Sequence, residues 1–168
     1  MITTSRSKEE VIDVSGARIL LVEDDEILHG LLTRNLQIRG HTVSTAEDAQ
    51  SALSHLRKAS FDLIVLDINL PDQTGWEVLR IAQRQGWLHA QEMDGERLPV
   101  VVLSAVQVSP RRLAEFHPLA YLPKPFPMEA LLRLAAEAAS RRNGGSLNGT
   151  EAVVDTENPH PNEEELHA

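Results

Sequence analysis

A chain of 168 residues, 42% hydrophobic and 24% charged, has the composition of a soluble globular protein with room for one α/β domain and tails. No apolar run approaches the roughly 18–20 residues that span a bilayer, and the absence of cysteine excludes disulfides, thiolate zinc sites and cysteine nucleophiles. Of the net charge of −9, residues 143–168 supply −6 through six acids and no Lys or Arg, so neither they nor the remaining 142 residues carry a basic stripe, and direct nucleic-acid binding is not expected.

Three regions follow from this composition. Residues 1–16 are polar and lack a signal-peptide apolar core, so a flexible N-terminal segment and a cytoplasmic location are expected. Residues 17–142 form the body. Residues 143–168 open with Asn-Gly-Gly-Ser and lack apolar periodicity, which predicts a disordered acidic tail.

Along the body, short apolar runs alternate with segments of helical period. Ile19–Val22 reads as a strand buried on both faces. Leu28, Leu31, Leu32 and Leu36 then recur at helical spacing up to Gly40, a C-cap. His41–Thr45 predicts a second strand, and Ala49, Ala52, Leu53 and Leu56 one face of a second helix. Leu63–Leu66 is a third strand, followed by a helix marked by Val78, Leu79 and Ala82. Val100–Leu103 predicts a fourth strand. Ser109-Pro110 is an N-cap and N1 pair opening a short helix through Phe116. Leu119–Leu122 predicts the last strand, and Met128, Leu131, Leu132 and Ala135 the last helix.

Strands and helices alternating in this way predict a doubly wound parallel sheet, because each parallel connection needs a crossover. Ligands of such sheets lie beyond the carboxyl ends of the strands. There the sequence places Asp24 and Asp25 after the first strand, Asp67 at the end of the third, Ser104 at the end of the fourth and Lys124 after the fifth. Three converging carboxylates repel one another and call for a cation. Hard oxygen ligands with room for water suit Mg²⁺, or Mn²⁺ in its place. A carboxylate beside such an ion can attack phosphorus, and the Lys124 ammonium would offset charge on the transferring group. Taken singly, the acids after the first strand read as a helix cap, Ser104 as a strand-end hydroxyl and Lys124 as a solvated charge. Asp67 is harder to explain that way, since it directly continues an apolar run.

Four segments in order resemble the receiver domains of two-component response regulators: ILLVEDD (19–25), LIVLDINLPDQTG (63–75), VVVLSA (100–105) and YLPKPF (121–126). The resemblance covers roughly residues 17–140 and implies a flavodoxin-like (βα)5 fold with strand order 2-1-3-4-5. It implies that Asp67 accepts a phosphoryl group from a histidine kinase or histidine phosphotransfer protein. Asp24, Asp25, Asp67 and the backbone carbonyl of Asn69 would hold Mg²⁺, while Ser104 and Lys124 would contact phosphoryl oxygens. Ala105 would leave the group accessible, and Tyr121 would be the aromatic that moves with Ser104. The Lys124–Pro125 bond is expected to be cis, and the apolar Val106, unable to position a water, implies a longer-lived phosphate. With no output domain in the sequence, a stand-alone regulator is expected, not an enzyme in the ordinary sense. It would act through an unknown downstream protein, with a phosphorylation-linked homodimer as one outcome and no membrane partner.

Two segments depart from the family pattern. The connection at residues 86–98 is enlarged and carries Trp87, either a partner anchor or an aromatic folded back on the third helix. Phe116-His117-Pro118-Leu119 is a compressed connection that puts the usual output face in question. Two other function classes remain in view. An aspartyl-nucleophile phosphatase would need an acid two residues after Asp67, where Asn69 stands. A phosphate-independent scaffold would ordinarily have lost one of the acids or the lysine.

Overall fold

The computed structural model describes residues 15–89 and 96–144. Five strands alternate with five helices: β1 (Arg18–Val22), α1 (Glu26–Ile38), β2 (Thr42–Ala46), α2 (Ala49–Lys58), β3 (Leu63–Asp67), α3 (Gly75–Arg84), β4 (Val100–Ser104), α4 (Pro110–Phe116), β5 (Ala120–Pro123) and α5 (Met128–Arg142). All strand pairs are parallel, in the order β2-β1-β3-β4-β5. This is the flavodoxin-like (βα)5 sheet that the sequence implies.

The central strands are buried because helices cover both faces. One apolar layer joins Leu20, Ile64 and Val102 to α2, α3 and α4. The other joins Ile19, Val65 and Val101 to α1 and α5. The alternation of side chains along each strand divides the apolar runs between these two layers. The edge strands β2 and β5 are only partly buried. Among the described residues no helix is long and apolar enough to cross a membrane.

Helix ends follow local chemistry. Asp25, Asp48, Thr74 and Ser109 each accept a hydrogen bond from a first-turn N–H of α1, α2, α3 and α4. At the far end of α1, His41 N–H donates to Leu36 O and Gly40 N–H to Gln37 O, with Gly40 at φ 85°. That pair of bonds needs the left-handed conformation glycine adopts without strain.

The expected boundaries of the body need one adjustment. Ser15 and Gly16, assigned to the flexible segment, are held to the end of α5: Asn143 Nδ2 donates to Ser15 O and Arg142 Nη1 to Gly16 O, both at 3.0 Å. The remainder of the N-terminal segment and the acidic tail beyond Gly144 lie outside the described residues.

The two unusual connections meet in space. The enlarged loop closes at its base, where His89 and Arg97 form a bridge and Leu98 N–H donates to Leu88 O. Trp87 folds back, half-buried against the core layer that includes α3. In the compressed connection, His117 ends α4 in the left-handed conformation at φ 46°, and Pro118 forbids further helix. Leu88 and Leu98 from the loop, with Phe116, His117 and Leu119, line a cavity of about 210 Å³ at the amino end of β4, the end remote from Asp67. Helix α4 is tied to α3: Trp76 and Phe116 stack with centroids 5.3 Å apart, and Arg80 bridges Glu77 at 2.7 Å and Glu115 at 3.1 Å.

Candidate functional site

The carboxyl ends of β1 and β3 bring three acids together. Asp67 is the last residue of β3 and only 3% exposed. Glu23 extends β1 by one residue, its N–H donating to Ala46 O at 3.0 Å, and is fully buried. Asp24 follows it and is exposed. One carboxylate oxygen from each of Glu23, Asp24 and Asp67 lies within 4.8 Å of the other two.

Asp25 stands elsewhere. Its Oδ1 accepts from Leu28 N–H at 2.8 Å, the N-cap bond of α1, and its own N–H donates to Glu23 Oε1 at 3.1 Å. The acidic pair facing Asp67 is therefore Glu23–Asp24, one residue earlier than the pair Asp24–Asp25 that the sequence predicts. Glu23 is a functional candidate that the sequence expectation does not include. The signal was present, because Glu23 continues the apolar run Ile19–Val22 just as Asp67 continues Leu63–Leu66.

Lys124 supplies the positive charge. Its backbone N–H donates to Ser104 O at 2.8 Å, which fixes its place beyond the end of β4. The Lys124–Pro125 bond is cis, as expected. The ammonium Nζ donates to Asp67 Oδ2 at 2.8 Å and sits 2.8 Å from Glu23 Oε2. Burial pushes the Glu23 carboxyl above the ordinary carboxylate value, against the pull of Lys124 and the Asp25 N–H. Burial also disfavours the Lys124 charge, but its bonds to Asp67 and Glu23 outweigh this and hold its pKa above that of an ordinary lysine.

Ser104 is buried at the end of β4, yet its hydroxyl is turned to the following loop. Oγ donates to Val106 O at 2.8 Å and accepts from Val106 N–H at 3.1 Å. The Tyr121 hydroxyl donates to the same Val106 oxygen at 3.1 Å. Both residues thus belong to one small network beside the acids, with no hydrogen bond to Asp67. Asn69 N–H donates to Asp67 Oδ1 at 3.0 Å. Gly75 begins α3 so close to Asp67 that a Cβ there would lie 2.7 Å from the Asp67 carbonyl oxygen.

The donor set is oxygen only and places three carboxylates against one ammonium, which fits a hard divalent cation such as Mg²⁺. A buried carboxylate with a fixed ammonium beside it can act as a nucleophile toward phosphorus, with the developing charge already opposed.

Residues 19–136 match the response regulator receiver domain family. The chain is 36% identical over 132 residues to transcriptional regulatory protein TcrA of Mycobacterium tuberculosis, covering 77% of this chain and 48% of that protein. It is 38% identical over 119 residues to response regulator MprA of the same species, covering 70% and 48%. The chain thus spans about half the length of these relatives. Among solved structures, chemotaxis response regulator CheY4 of Vibrio cholerae superposes with a TM-score of 0.62 at 28% identity, over 74% of this chain and 99% of that one. Response regulator TrrA of Thermotoga maritima, solved in complex with Mg²⁺ and BeF, superposes with a TM-score of 0.59 at 26% identity, over 72% and 97%. Since the match runs from the second residue of β1 well into α5, the chain belongs to the response regulator receiver domains of two-component signalling.

Proposed function

We propose that this chain receives a phosphoryl group on Asp67 from a phosphohistidine of a histidine kinase or a histidine phosphotransfer protein. The P–N bond breaks as a P–O bond forms to an Asp67 carboxylate oxygen, and the electron pair returns to the imidazole. The observation that carries this reading is the Lys124 Nζ–Asp67 Oδ2 bond of 2.8 Å at a carboxylate 3% exposed beside Glu23 and Asp24. Glu23, Asp24, Asp67 and the Asn69 carbonyl are the proposed Mg²⁺-binding groups, with Glu23 in the role first given to Asp25. Mg²⁺, when bound, offsets negative charge on the transferring group. Lys124 keeps Asp67 oriented and remains as the counter-charge to the product.

Helix α1 offers a docking face for the donor. Ile27, Leu31 and Ile38 are 85%, 51% and 72% exposed and fall on one side of the helix, beginning just beyond Asp24. On the opposite flank, Ser104 and Tyr121 serve as the switch. A phosphoryl oxygen competes with Val106 O for the Ser104 hydroxyl, and Tyr121 follows through the shared carbonyl. The face containing α4, β5 and α5 then presents a changed surface to a downstream protein or a second copy of the chain.

Incubation with phosphoramidate and Mg²⁺ tests the reading. A single acid-labile phosphoryl adduct, absent in Asp67→Ala, is expected; an adduct that persists in that variant overturns it. Partner binding that is identical for wild type and Asp67→Asn under phosphorylating conditions would favour the scaffold instead.

A further inference from the structure

The N-terminus of α2 is closed by a residue 23 positions away. Asp72 Oδ1 accepts from Ala49 N–H at 2.9 Å and Oδ2 from Gln50 N–H at 3.1 Å, while Gln73 N–H donates to Oδ1 at 3.0 Å. Asp48, the N-cap itself, takes Ser51 N–H at 2.7 Å, and Ala52 N–H donates to Asp48 O. The N–H groups of Ala49, Gln50 and Ser51, which have no partner within the helix, are therefore all satisfied, two of them by Asp72. Those bonds hold the Asp72 carboxyl below the usual carboxylate value.

Asp72 lies at the tip of the segment that follows Asp67. That segment is pinched at its base, where Gly75 N–H donates to Ile68 O at 2.8 Å and Asn69 bridges Thr74. Between these ends, Leu70 rests on the core and Asp72 reaches out to α2. Asn69 belongs to that base, with its N–H on Asp67 Oδ1. Only Leu70 and Pro71 separate Asn69 from Asp72, so the anchored tip is joined by a short stretch of chain to the Asn69 peptide groups, the N–H that bonds Asp67 and the carbonyl assigned to the cation.

We propose that Asp72 is a positioning residue that uses the first turn of α2 as a fixed anchor to set the Asn69 peptide groups for Mg²⁺ and for Asp67. This deepens the phosphoacceptor reading and rests on it. Asp48 provides an internal control, because it caps the same helix without belonging to the Asp67–Gly75 segment. Loss of either carboxylate weakens α2; only loss of Asp72 frees the loop.

Calorimetric titration of the folded chain with Mg²⁺, together with thermal unfolding, separates the two roles. Asp72→Ala is expected to weaken Mg²⁺ binding about tenfold, the scale seen when a group orienting a metal ligand is removed. Asp48→Ala is expected to lower the melting temperature comparably while binding Mg²⁺ within about twofold of wild type. Asp72→Asn, which keeps one acceptor oxygen, should fall between Asp72→Ala and wild type, and decides the matter if Asp72→Ala does not fold. Equal Mg²⁺ affinity in wild type and either Asp72 variant, or equal weakening in the Asp48 variant, overturns the positioning role. Absence of Mg²⁺ binding by wild type overturns the phosphoacceptor reading itself, and the proposal with it.

Discussion

The hydroxyls of Ser104 and Tyr121 donate to one and the same oxygen, the carbonyl of Val106, at 2.8 and 3.1 Å. Ser104 also accepts the Val106 N–H. A hydroxyl has one proton, so Ser104 cannot donate to Val106 and to a phosphoryl oxygen together. Phosphorylation, or a Mg²⁺–fluoroberyllate mimic, is therefore expected to give Val106 one of the largest backbone amide shifts in an NMR spectrum. In Ser104→Ala the Val106 amide should already be displaced and should respond little to the mimic. An unmoved Val106 resonance in wild type would separate Ser104 from the switch.

Lys124 answers two buried carboxylates at once. Its replacement by Met leaves Glu23 and Asp67 facing each other without a counter-ion, at a cost of about 1–3 kcal/mol in the absence of metal. The partial solvent access of Lys124 keeps that figure below the value for a fully buried pair. Added Mg²⁺ should then raise the melting temperature of Lys124→Met more than that of wild type, because a cation replaces the lost charge. Chemical denaturation without Mg²⁺ measures the first effect, and thermal unfolding with and without Mg²⁺ the second.

Gly75 and Gly30 make a matched pair. A Cβ on Gly75 meets the Asp67 carbonyl oxygen at 2.7 Å and Ile68 Cα at 3.0 Å, whereas one on Gly30 meets nothing within 4 Å. Gly75→Ala is expected to destabilise by about 1–3 kcal/mol and to slow phosphorylation by phosphoramidate, because the strain falls on the backbone of Asp67. Gly30→Ala, inside an exposed stretch of α1, should stabilise by about 1 kcal/mol with the phosphorylation rate unchanged.

His41 predicts an acid limb to stability. Its Nδ1 accepts the Ala17 N–H at 3.0 Å in a buried setting, and burial, with Arg39 nearby, lowers its pKa from 6.5. The unfolded chain thus binds a proton more readily than the folded one, and stability falls as pH drops below the unfolded value. The loss levels off once pH passes beneath the folded-state pKa. His41→Gln, which cannot take up that proton, should show a shallower decline between pH 7.5 and 5.5 in urea titrations.

The sheet was legible because β1, β3 and β4 contain the short apolar runs Ile19–Val22, Leu63–Leu66 and Val100–Leu103, whose length and β-branched content suit a strand covered on both faces. The short α4 was legible from Ser109-Pro110 alone. Edges were less so: β5 begins at Ala120, one residue later than its apolar run, although the Leu119 N–H already donates to Val100 O. Asp67, Ser104 and Lys124 could be placed by counting to strand ends. Asp25 could not, because choosing between a cap and a ligand depends on whether β1 stops at Val22 or carries on through Glu23. The Ser104–Val106–Tyr121 network and the reach of Asp72 to α2 depend on tertiary approach, and no local pattern announces either.

One consequence of the crowded carboxylates concerns timing. Three carboxyl groups, those of Glu23, Asp24 and Asp67, face a single ammonium, so the acids outnumber the positive charge around Asp67. An incoming phosphoryl donor is itself an anion and would meet an electrostatic barrier there, steepest at low ionic strength. A divalent cation cancels that excess and removes the barrier. On the proposed phosphoacceptor reading, the excess of acids sets an order of arrival: the ion would enter first, and phosphate would follow once the negative charge is offset.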